Sequence, residues 1–317
     1  MKIGTLAVLL LGSLSFLGGC DQQQTKPAAP TIPSRESALP SSAVKINPKD
    51  DPHPPLLHHS DWSTPIPLPG PVNTAGGEDA PFIPDDGRSL YFFFTPDLTR
   101  PVQDQLHDGV TGIYRSLKTE EGWGRPQRVI LSEDIALDGC PFARGGRLWF
   151  CSARPGTAGV GWFTADLISG SWQNWRPVKF KPDYQVGEFH LSPDETELYF
   201  GSDRPGSIGG SDLWLSLLDE GQWSQPIHLT AVNTTADESR PFLTADGKEL
   251  WFTRTYRGTP AVFRSQRTNG SWGTPELILS QFAGEPTLDR QGNIYFVHHY
   301  YQDGKMIEVD IYLAKKK

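Results

Sequence analysis

Six acidic residues stand just ahead of short runs that carry Pro or Phe: Glu78 and Asp79 before Pro81-Phe82, Asp138 before Pro141-Phe142, Glu188 before Phe189, Glu238 before Pro241-Phe242, and Glu285 before Pro286. Glu78, Asp138 and Glu238 lie three residues before the reference Pro. Glu188 and Glu285 lie one before it, where the fourth copy has Arg240. The two positions share the parity of a strand, so regular alternation sends all these side chains to one side. Carboxyl groups gathered in this way raise one another's pKa values. They can then divide into acid and base, as glycoside hydrolysis requires. The competing reading is that the acid is a habit of a repeat, bonding backbone amides or a nearby arginine such as Arg204. In that case the ring of acids is a structural or binding feature.

The elements that must hold these residues follow a period of roughly 50 residues, the scale of a repeat architecture. Trp62-Ser-Thr-Pro65, Trp123-Gly-Arg-Pro126, Trp223-Ser-Gln-Pro226 and Trp272-Gly-Thr-Pro275 share one motif, with a looser copy at Trp172. Between them recur an aromatic strand (Leu90-Tyr-Phe-Phe, Leu148-Trp-Phe-Cys, Leu198-Tyr-Phe-Gly, Leu250-Trp-Phe-Thr, Ile294-Tyr-Phe-Val), a shorter strand before it and a third after it. Four strands per unit and five units predict an all-β fold, a five-bladed β-propeller of four-stranded blades. The fifth unit ends with three strands, and the Trp62 segment precedes the first. The N-terminal strand is therefore expected to join the last blade and close the ring, leaving no free sheet edge.

The run Ser192-Pro-Asp, Leu198-Tyr-Phe-Gly-Ser-Asp-Arg-Pro-Gly, Gly209-Gly-Ser-Asp-Leu-Trp, with Val232-Asn-Thr and Asp237-Glu-Ser-Arg-Pro, resembles the WD40-like Pro-Asp β-propeller repeat. That repeat occurs in the Tol-system propeller protein and in other bacterial envelope proteins. The resemblance covers residues 60 to 317 and is closest in the third and fourth units. Units two and five depart from it, with Gly145-Gly146 and Gln291-Gly292 at the Pro-Asp-Gly turn. It implies the fold more strongly than a function. Ligands on such a ring are expected over the channel mouth, where the inner strands begin. The residues assigned to that face are Glu78, Asp138, Glu188, His190, Glu238, Arg240 and Glu285. Similarity to five-bladed furanosidases, the arabinanases and xylosidases, implies the alternative: Asp79, Asp138 and Glu188 as base, helper and acid.

Other motifs carry less. The Gly206-to-Gly210 loop lacks the Lys and following helix of a phosphate loop, so its glycines are read as conformational. His58-His59 and His298-His299 have no partners at metal-ligand spacing. No metal site and no cofactor is expected. Cys140 and Cys151 flank the turn at Arg144 to Arg147; pairing Ala143 with Leu148 sets them opposite one another, where a cross-strand disulfide can form.

The N-terminus reads as an export signal: Lys2, then an apolar run from Ile3 to Leu17, too short for a dependable membrane span. Leu17-Gly-Gly-Cys20 resembles the bacterial lipobox, which implies lipidation of Cys20, residues 1–19 as the cleaved signal, and attachment through the lipid alone. Asp21-Gln22 resembles the inner-membrane retention signal of enteric bacteria, and a periplasmic location is expected. Residues 20–58, rich in Pro, Ser and Gln, are read as a flexible tether and residues 59–317 as the propeller. The net charge is −8, one unit more negative once Lys2 is removed, which gives no electrostatic reason to bind nucleic acid. The expected partner of a monomeric ring is an envelope protein, peptide or glycan.

Overall fold

A computed structural model describes residues 33–131, 136–154, 160–178 and 187–317. The fold is all-β and built from antiparallel hairpins, with one parallel contact between Val309 and Gly77. Each repeat unit contributes an inner strand, an aromatic second strand and a third strand in consecutive hairpins. In the fourth unit these are Glu238–Leu243, Glu249–Tyr256 and Thr259–Thr268, followed by Glu276–Ser280 as the outer strand. In the second unit they are Leu137–Arg144, Arg147–Ala153 and Val160–Ile168, with Ser171–Pro177 outermost. The fifth unit, Ala283–Leu288, Ile294–Gln302 and Lys305–Ala314, receives its outer strand from Ile66–Pro67, which pairs with Leu313 and Tyr312.

The second strands alternate little in polarity because both of their faces are covered, one by each neighbouring sheet. Phe92, Phe150, Phe200, Phe252 and Phe296, the same position in five units, are all essentially inaccessible to solvent. Trp62 is buried against Trp251, edge-on at 5.5 Å between centroids, and its indole N–H donates to the Gly292 carbonyl at 2.8 Å.

Four of the five inner strands carry the same irregularity. Ala80-Pro81, Cys140-Pro141, Arg240-Pro241 and Glu285-Pro286 each place two residues against one on the second strand. The residue before each Pro takes a positive φ, between 49° and 54°. Such a bulge re-aims a side chain within an otherwise regular ladder.

The glycine-rich loop after the third unit's second strand is a packing device. Gly209 and Gly210 press against Ala236 and Asp237 of the next link, too close for a Cβ. Asp212 accepts from the Ile208 and Gly209 amides at 2.7 and 3.0 Å, which shapes the turn.

Cys140 and Cys151 form a disulfide with a Cα–Cα distance of 5.4 Å. The bulge moves Cys140 out of register, so Gly139 rather than Cys140 faces Cys151. Mass mapping without reductant is expected to recover residues 140 and 151 in one linked peptide pair. Replacing both cysteines by Ser should lower stability by about 2–3 kcal/mol, since the bond closes a short loop.

The segment expected to be a loose tether is, from residue 33 on, a strap along the sheets. Leu56–Leu57 pairs with Ser280 and Leu279. Lys45 reaches both Glu308 and Asp310, and Asp51 meets buried His298 at 2.7 Å. Few apolar residues are needed, because the strap is held by single charges that answer buried charges of the sheets.

Candidate functional site

The inner strands bring three residues each, from the position before the Pro or Phe to the one after it, to a single central cavity. Ala80, Cys140, Glu188, Arg240 and Glu285 form its outer layer. Phe82, Phe142, His190, Phe242 and Thr287 form the layer below, with Trp162 alongside. The lower layer is aromatic: Phe82 and Phe142 meet edge-on at 5.0 Å, and His190 packs against Phe142 at 4.6 Å and Phe242 at 4.9 Å.

The seven residues assigned to the mouth divide into two groups, because the bulge breaks the alternation that regular strand parity implies. Glu78, Asp138 and Glu238 turn away from the cavity and are buried in ion pairs: Glu78 with Arg35 at 3.0 Å, Asp138 with Arg154 at 2.8 Å, and Glu238 with Arg254 at 2.6 Å. Thr74 and Thr234 each donate a backbone N–H and a hydroxyl to the glutamate four residues on, so Glu78 and Glu238 share one hydrogen-bonding pattern. Burial raises the pKa of all three acids, that of Glu78 to about 7. These acids are the repeat's own architecture.

The arginines were not legible as a set, because they come from different places in the chain. Arg154 and Arg204 follow the second strand, and Arg254 lies on it. Each guanidinium nevertheless sits over the Phe of its second strand: Arg154 over Phe150, Arg204 over Phe200, Arg254 over Phe252. In the first unit the strap supplies the equivalent cation, with Arg35 over Phe92, Phe94 and Tyr114.

Glu188, Arg240 and Glu285 meet at the cavity. Arg240 Nε donates to Glu188 Oε2 at 2.9 Å, and its Nη1 contacts Glu285 Oε1. Burial works against the Arg240 charge, but Glu188, Glu285 and Asp79 together hold its pKa above the ordinary arginine value. Glu285 is buried, and burial raises its pKa well above the usual carboxylate range. The Arg240 and Glu188 side chains keep 35% and 25% of their surface open to solvent. His190 faces the cavity from beneath. Its Nδ1 accepts from the Leu243 amide at 3.2 Å, its Nε2 has no hydrogen-bond partner, and burial lowers its pKa well below the ordinary value.

Of Asp79, Asp138 and Glu188, only Glu188 lines the cavity. Asp138 is committed to Ser152 and Arg154. Asp79 stands with Glu285 and His299, one ligand atom of each within 4.8 Å of the others. No partner for His299 was visible in sequence, because its neighbours here, Glu285 and Asp79, lie 14 and 220 residues away.

No protein-family model and no curated protein matches the sequence. Among solved structures the chain has a propeller-like fold. It is similar to the catalytic domain of the GH62 α-L-arabinofuranosidase of Coprinopsis cinerea, with a TM-score of 0.51 at 11% identity over 81% of this chain and 97% of that one. It is also similar to the XC5397 gluconolactonase of Xanthomonas campestris (TM-score 0.47, 14% identity, 83% and 95% coverage) and to TolB of Acinetobacter baumannii (TM-score 0.45, 13% identity, 77% and 55% coverage). The chain spans about half the length of that TolB chain. At these identities the likeness is one of fold.

Proposed function

We propose that this chain is a periplasmic lipoprotein, anchored through Cys20, whose five-bladed propeller binds an envelope protein, peptide or glycan at the channel mouth without catalysing a reaction. On this reading the Trp62-to-Pro67 segment closes the ring on the last blade. The observation that carries the binding role is the half-open ion-pair cluster of Glu188, Arg240 and Glu285 above an aromatic well. A partly exposed arginine fixed by carboxylates over an apolar floor combines the charge and desolvated surface typical of an interaction hot spot. The glycosidase reading is weaker, because Asp138 would have to leave a buried pair with Arg154 to serve as a catalytic helper.

Affinity capture from envelope extracts tests the binding face, using the chain without residues 1–20. The Glu188→Gln variant, which leaves the Arg240–Glu285 pair in place, is expected to lose most of the captured partner while its melting temperature stays near that of the parent. Equal capture by parent and variant would remove this face from consideration. Aryl arabinofuranosides and xylosides should release no phenol above the blank, and turnover abolished by Glu188→Gln would restore the enzyme reading. Palmitate labelling should disappear in Cys20→Ser, and labelling that persists would overturn the anchor.

A further inference from the structure

The group of Asp79, Glu285 and His299 shares Glu285 with the cavity's ion-pair cluster and lies outside the Glu78–Asp138–Glu238 set of buried acids. Asp79 is on the inner strand of the first unit, Glu285 on that of the fifth, and His299 near the end of the second strand of the fifth. A carboxylate oxygen of each acid and a ring nitrogen of His299 fall within 4.8 Å of one another. Main-chain pairing fixes the histidine, whose amide donates to the Phe282 carbonyl at 3.0 Å. Its ring Nδ1 lies 3.2 Å from the same oxygen, to which it can only donate. That contact sets the tautomer and leaves the lone pair on Nε2, the way a backbone carbonyl orients a metal-ligating imidazole.

The carboxylates add an independent sign. Glu285 is 5% exposed; Oε1 contacts Arg240, but Oε2 has no hydrogen-bond partner. Asp79 Oδ1 is likewise buried without one. Buried polar atoms are almost always satisfied, so two adjacent carboxylate oxygens without a donor call for a cation or a proton between them. Charge agrees. Asp79, Glu188 and Glu285 face one cation, Arg240, and a divalent ion taking the place of any carboxyl proton would balance the remainder.

We propose that Asp79, Glu285 and His299 bind one divalent metal ion, with its other coordination positions open towards the mouth. Two carboxylate oxygens and one imidazole nitrogen suit a borderline ion, Zn²⁺ or Mn²⁺, ahead of Mg²⁺ or Ca²⁺. The open positions take water or an oxygen donor of whatever occupies the mouth. The rival occupant is a proton shared by the two carboxyl groups.

Metal content decides between them. The full-length chain, stripped with chelator and dialysed against Zn²⁺ or Mn²⁺, should retain one ion per chain. The Co²⁺ form should show the visible absorption of a site with one nitrogen and two oxygen protein ligands. Glu285→Gln and His299→Ala should each weaken binding at least about tenfold, whereas exposed His107→Ala should leave it unchanged. Because Glu285 is buried and ion-paired, Asp79→Asn serves as a second acid variant, removing a ligand that lies outside the Arg240 ion pairs. Substoichiometric retention by the parent overturns the proposal. So does equal affinity in Asp79→Asn and His299→Ala, or a carboxyl proton between Asp79 and Glu285 that persists at saturating metal. Partner capture is not a readout here, so failure of the binding face would leave this result unaffected.

Discussion

Replacing Arg35 by Ala should cost the fold about 3–5 kcal/mol at pH 8, the loss expected when one member of a buried ion pair is removed. Arg35 donates to the Val72 carbonyl at 2.9 Å, to the Pro71 carbonyl, and to Glu78 Oε1 at 3.0 Å. Without it, Glu78 stays buried with Thr74 as its hydrogen-bond donor. The loss should depend on pH. Burial has already raised the Glu78 pKa to about 7, and deleting the cation raises it further. At pH 5 the variant escapes most of the penalty by holding a proton, so the cost should fall to about 1–3 kcal/mol.

The parent should show the same sign more weakly. Glu78 and Asp310 both have folded pKa values of about 7, above their unfolded values. The stability they contribute is full below about pH 4 and is lost as the pH rises through 7. Urea midpoints from pH 5 to 8 measure both effects. Arg35→Ala combined with Glu78→Gln should recover part of the loss at pH 8. Arg35→Lys should recover little, because an ammonium lacks the planar fork that spans three acceptors and three rings. A pH-independent loss below about 1 kcal/mol would sink the claim that the strap completes the first unit.

Trp62→Ala should be the most damaging apolar change, at about 3–5 kcal/mol. Beyond its buried surface, Trp62 holds the stack in which Arg264 and Lys316 lie over the indole at 5.4 and 4.0 Å. Its backbone bridges to Lys316, Ser63 N donates to the Lys315 carbonyl, and Lys317 N donates to the Asp61 carbonyl, both at 2.8 Å. Loosening this segment also bares the Lys305–Ala314 strand edge, so the variant should self-associate. Size-exclusion chromatography beside thermal melting reads the two consequences separately. A monomeric variant within about 1 kcal/mol of the parent would mean that the sheet holds without its N-terminal strand.

The period of the Trp motifs and aromatic strands was enough to place the second and third strands, because both follow from local patterns. The bulges were not visible in the same way. Positive φ at Ala80, Cys140, Arg240 and Glu285 is a demand usually signalled by glycine, and none of these four positions has one. The recurring Pro after each was the available cue. Missing it merged two sets of acids, one structural and one at the mouth, into a single ring. The strap was illegible for another reason. Arg35, Lys45 and Asp51 are isolated charges in a Pro- and Ser-rich stretch, and their partners lie 43, 263 and 247 residues away in sequence. His299 belongs with them: a pair of adjacent histidines reveals nothing until the fold sets one beside Asp79 and Glu285.

The outer layer of the cavity also has a polarity of its own. The backbone repeats, but the five equivalent positions read Ala80, Cys140, Glu188, Arg240 and Glu285. Units one and two offer a methyl group and a disulfide; units three to five offer three charges. The wall is therefore asymmetric, with its charges gathered on units three to five and its methyl and disulfide groups on units one and two. Under the proposed binding role, a ligand would set a charged end towards units three to five and an apolar flank against Ala80 and Cys140. The repeat that builds the frame sets the backbone of this layer, while its side chains carry the difference between one wall and the other.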